Sequence, residues 1–131
     1  MLRKNSILKG SIVILALLLA ANFGLAQDEA GETAERLMIW QLEAVKDGDY
    51  QRFIEHGNKA FKEFMDEYSF DTIKMQRGAK IAKGYKLEYL GTIRRIGMRE
   101  LLWKIYINGD KYELLGSLSL SHGKVVGFNV D

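Results

Sequence analysis

The sequence predicts an α+β fold in which N-terminal helices pack on one face of a curved four-stranded antiparallel meander. Three observations predict it. Apolar residues recur at spacings of three and four up to Ala82; from Tyr85 the period changes to strict alternation; and Gly97, Gly109 and Gly123 divide the alternating tail into hairpins. Residues 27–131 are enough for one hydrophobic core and too few for two. No internal repeat, low-complexity tract or proline-rich linker divides them, so they read as a single domain.

Residues 1–26 read as a secretory signal peptide. Arg3, Lys4 and Lys9 precede an apolar run from Ile12 to Ala21, and Gly24-Leu25-Ala26 supplies the small residues of a cleavage site. That run falls short of the roughly 20 apolar residues a membrane span needs. The expectation is an exported chain, periplasmic or extracellular, with no stable membrane span once the leader is removed. The chain has no cysteine, so neither a disulfide nor a cysteine-linked lipid can hold it. Without the three leader cations, 16 Lys and Arg stand against 17 Asp and Glu, a net −1 with neutral histidines. Binding to nucleic acid through bulk positive charge is therefore not expected.

The first helix is announced by Asp28, Glu29, Glu32 and Glu35, which suit a helix N-terminus, and is closed by Lys46 and Gly48. Its body is apolar from Leu37 to Val45, leaving Gln41 and Glu43 for water in the middle turns. Asp49 can cap a short second helix carrying Tyr50, Phe53 and Ile54, which Gly57 ends. Ala60, Phe61, Phe64, Met65 and Tyr68 predict a third amphipathic helix. Ser69 or Asp71 can cap a fourth reaching Ala82, in which Gly78 costs about 1 kcal/mol relative to alanine.

In the tail, Asn108-Gly109 predicts a type I′ turn that sets Ile105 opposite Tyr112 and Trp103 opposite Leu114. A three-residue loop centred on Gly97 pairs Ile93 with Leu101 and Tyr89 with Ile105. A second three-residue loop, Ser121-His122-Gly123, aligns Leu118 with Val126 and Gly116 with Phe128, making Lys124 to Val130 the last strand. The inner face then collects Tyr85, Leu87, Tyr89, Gly91 and Ile93 beside the apolar residues of the next strands. Lys86, Glu88, Arg94, Glu100 and Lys104 alternate to the outside.

The first helix running into Lys46-Asp47-Gly48-Asp49-Tyr50-Gln51-Arg52-Phe53, then Gly84-Tyr85, then the four-strand tail ending Gly123-Lys124-Val125-Val126-Gly127-Phe128, resembles the nuclear transport factor 2-like group, also described as cystatin-like α+β rolls. The resemblance spans nearly all of residues 27–131. It implies a long helix and its companions packed into a curved antiparallel sheet. It departs from the group in one respect: no short strand can be placed between Phe53 and Tyr68. The group holds small isomerases, cyclases and dehydratases, ligand-binding modules and exported domains of unknown function, so membership does not choose an activity.

Acid–base chemistry in such a cone needs ionisable groups on its inner face, and the expected sheet face offers none. Only Glu43 or Asp66 could bring a carboxylate in from the helices. No cofactor is expected, and His56 and His122 lie too far apart for a metal motif. Trp40, Tyr89, Trp103 and Tyr112 could line a pocket for a small apolar ligand, although a short chain also needs such rings as core. Lys74, Arg77, Lys80 and Lys83 form a basic patch that could meet a partner, or a solvated face. The resulting expectation is an exported, non-catalytic binding or interaction module, monomeric or homodimeric. The alternative is a small lyase or isomerase with a helix-borne carboxylate.

Overall fold

The computed structural model describes residues 31–131, so the expected leader lies outside the described residues. The chain divides into two units, 1–35 and 36–131, and the second carries the fold. Its architecture is α+β, as the periodicity predicts. Helix α1 runs to residue 47 and is followed by α2 (Tyr50–Ile54), α3 (Lys59–Phe64) and α4 (Glu67–Ala82). The strands are β1 (Tyr85–Arg95), β2 (Met98–Ile107), β3 (Leu114–Ser121) and β4 (Lys124–Val130). They form one open sheet in chain order, antiparallel throughout.

Local chemistry sets the helix ends. Gly48, at φ 67°, closes α1 with Gly48 N–H donating to Val45 O and Asp49 N–H to Ala44 O, the paired bonds of a Schellman cap. Asp49 then caps α2 by accepting from Arg52 N–H at 3.1 Å. Asn58 caps α3 in the same way through Phe61 N–H. The expected third helix is divided: it stops at Phe64, and Asp66 caps α4 by accepting from Ser69 N–H at 2.7 Å. Neither Ser69 nor Asp71 is the cap, and Tyr68 belongs to α4. Phe64 and Tyr68 consequently face water at 81% exposure each.

Met38, Leu42 and Val45 of α1 are fully buried together with Trp103, Ile105 and Leu118 of the sheet. Phe53 joins the layers, its ring 5.0 Å from Phe70 and 5.2 Å from Phe128 between centroids. α4 passes beside α1 at Gly78, where an added Cβ would sit 3.5 Å from Val45 O, an ordinary contact that leaves room for alanine. Gln41, expected in water, is instead completely buried, because it shares the core-facing side of α1 with Met38 and Val45.

All three hairpin registers differ from expectation. Ile96-Gly97 is a two-residue turn, and an extra residue at Leu90 resets the alternation, so Tyr89 pairs with Trp103, while Ile93 pairs with Glu100 on the outer face. Arg94 consequently lies on the inner side of the sheet, opposite Arg99. Asn108-Gly109 begins a longer connection, and Ile105 pairs with Leu114. Only Gly109 has positive φ there, whereas a type I′ turn requires it at both positions. Two tertiary contacts hold this segment: Asn108 N–H donates to Gly84 O, and Asp110 is drawn to Lys83. The type I′ geometry occurs at His122-Gly123, with φ 49° and 75°. A bulge at Val126 then makes Leu118 pair with Phe128 and Gly116 with Val130. Between the early helices, Gly57 forms a parallel bridge with Val125, flanked by Asn58 N–H to Val125 O and Val125 N–H to His56 O.

Candidate functional site

Of the four aromatics proposed to line a pocket, the structure brings two together. Tyr89 and Trp103 are cross-strand partners with centroids 6.0 Å apart; Trp103 is buried, and Tyr89 stands at the open side of the sheet. Trp40 makes its ring contacts elsewhere. Its indole N–H donates to Arg52 O at 2.8 Å, the Arg52 guanidinium lies 4.5 Å above its ring, and His56 meets it edge-on at 5.0 Å. Tyr112 sits in the loop between β2 and β3, exposed, with Lys111 over its face. An open groove of about 580 Å³ runs beside Trp40 along α2, between Gln51, Arg52, Glu55 and Lys62, but Arg52 and His56 already occupy the indole.

Side chains of α1 and the sheet meet closely at Gly116 on β3. An added Cβ there would meet the mobile ends of Met38 and Ile105, which would have to shift to admit it.

Glu43 is half-buried, paired with Lys46 one turn on and accepting from Tyr85 O–H at 3.4 Å. Burial, reinforced by the Glu43 charge, pushes the Tyr85 hydroxyl up to about 12. Asp66 is fully committed as the α4 cap. Its hydrogen bonds from Ser69 hold its carboxyl below the ordinary range. Among the described residues there is no group of three or more His, Cys, Asp or Glu that could hold a metal ion.

The basic patch on α4 is not one face. A spacing of three turns each cation about 60° back around a helix of 3.6 residues per turn, which places Lys74 and Lys83 on opposite sides. Each is engaged by a neighbouring group. Lys74 lies over Gly48, Arg77 Nε donates to Val130 O at 2.9 Å, and Lys80 and Lys83 both pair with Asp110, at 3.8 and 2.9 Å. Hydrogen bonding from Lys83 holds the Asp110 carboxyl below its ordinary value.

Sequence reasoning missed a different cationic group, at the end of the sheet where the β1–β2 and β3–β4 turns meet. Ser121 O–H donates to Gly97 O at 2.7 Å and ties the two turns together. Arg94, Arg99, His122 and Gly123 line a groove of about 330 Å³ between them. Arg94 and Arg99 face each other directly across the strands. The signal in the sequence was the run Arg94-Arg95-Ile96-Gly97-Met98-Arg99, dense in arginine around a turn glycine. No known protein family, no curated protein and no solved structure matches this chain.

Proposed function

We propose that this chain is a non-catalytic interaction module that meets its partner with its outer surface rather than enclosing a small ligand. The observation that supports this reading is the packing at Gly116: where a ligand-binding cone would need a void, the side-chain ends of Met38 and Ile105 fill the space in front of it. Trp103, one of the two tryptophans among the candidate pocket rings, is buried in the core. The reading carries with it the export expected from the leader, and a monomer or homodimer.

Native mass spectrometry of the purified full chain tests it. The expected spectrum is the protein mass alone, as monomer or dimer. A reproducible extra mass of small-molecule size, lost on substituting Trp103, would overturn the reading. One observation favours the alternative of a small lyase or isomerase: Glu43 is a half-buried carboxylate hydrogen-bonded to a phenol. Should any turnover be found, Glu43→Gln would abolish it in that alternative.

A further inference from the structure

We infer that the arginine-flanked hairpin end, residues 94–99 with the neighbouring turn at His122-Gly123, docks onto an anionic lipid surface. The inference rests on the interaction-module reading and names its partner.

The geometry has two tiers. At the apex, Ile96 is fully exposed, at 105% of its reference surface, with half-buried Met98 beside it. Behind the apex stand three guanidinium groups. Arg95 is paired with Glu100 at 3.2 Å on the outer face. Arg94 and Arg99, on the other face, are cross-strand neighbours whose guanidinium groups make no hydrogen bond or ion pair with any described residue. Like charges placed directly opposite one another destabilise a sheet, and among the described residues no carboxylate pairs with them. An anion between them would. His122 and Lys124 extend the same end across the second turn.

An apolar tip ahead of a cationic ring matches the order of layers in a membrane interface, with acyl chain boundary beyond phosphate. A soluble anion would satisfy the arginines but give Ile96 nothing. Nucleic acid would likewise leave the apex in water. The tie between Ser121 and Gly97 holds both turns level, so they can approach one plane together.

The absence of cysteine allows a clean test with the full chain. An environment-sensitive fluorophore is attached through Ile96→Cys, and in a second protein through Lys59→Cys on α3 as a reference. Each is mixed with vesicles of phosphatidylglycerol or of phosphatidylcholine. The expected result is a blue shift at position 96 with phosphatidylglycerol only, reversed by high salt and absent at position 59. Combining Arg94→Gln with Arg99→Gln should weaken that binding about tenfold or more, two surface cations being removed. No shift at position 96 with phosphatidylglycerol overturns the inference. So does an equal shift with phosphatidylcholine, or one insensitive to the arginine pair, since the apolar run at 12–21 would then be responsible. A shift produced by inorganic phosphate or by polyglutamate, but not by vesicles, overturns it in favour of a free anion or an acidic polymer. Any of these leaves the module reading standing, which falls on a retained small molecule or on turnover lost with Glu43→Gln.

Discussion

Gln41 places a primary amide in the core of α1 with no hydrogen-bond partner for Nε2 or Oε1 among the described residues. A buried polar group in that state costs about 1–3 kcal/mol. Gln41→Met keeps the volume and removes the polar atoms, so it should stabilise the protein by a similar amount, read as a higher urea midpoint at unchanged slope. Two glycines separate in the same assay. Gly78→Ala has room and should gain up to about 1 kcal/mol of helix propensity, whereas Gly116→Ala must displace the ends of Met38 and Ile105 and should show no such gain. Tyr85 sets an alkaline limit. Its folded value of about 12 stands above the ordinary 10.0, so the folded state holds the phenolic proton more tightly. That contribution is complete below about pH 10 and is lost as pH rises towards 12; Tyr85→Phe should flatten the fall in melting temperature across this window.

At the scale of elements, what could be read from sequence was what is decided locally. Gly48 and Asp49 act within a few residues of themselves, and both take the roles their chemistry predicts. The strand registers were not readable in this way. A bulge at Leu90 or Val126 adds one residue without disturbing the count of apolar side chains, so alternation alone cannot locate it. Asn108-Gly109 is the preferred sequence for a type I′ turn, but the pull of Lys83 and Gly84 on its neighbours prevails. His122-Gly123 takes that conformation with a less suited first residue. His122→Asn should therefore raise the melting temperature, and His122→Val, β-branched at positive φ, should lower it. Removing the α3 cap with Asn58→Ala should cost about 1 kcal/mol. The arginine groove escaped notice because its two members come together only when the bulge turns Arg94 to the inner side.

At the scale of the whole folded unit, the sheet has a central pair and two flanks. β2 and β3 are bonded on both sides and carry most of the buried sheet residues. Their amides should exchange with deuterium most slowly, and those near Ile96 most quickly. The free side of β1 is broken by its bulge and carries Lys86, Glu88 and Arg94, features that discourage pairing with another chain. On β4 the Gly57–Val125 bridge closes one end of the flank, and it also governs the order of assembly. The three hairpins join strands adjacent in the chain and can close early, but this bridge links the first helices to the final strand across a long loop. Val125 lies in β4, which follows the helices and the other three strands of this sheet in the chain. A nascent chain therefore cannot close this bridge until β4 has emerged, and until then Phe53 lacks its contact with Phe128, leaving this flank of the polypeptide open to threading or to chaperones.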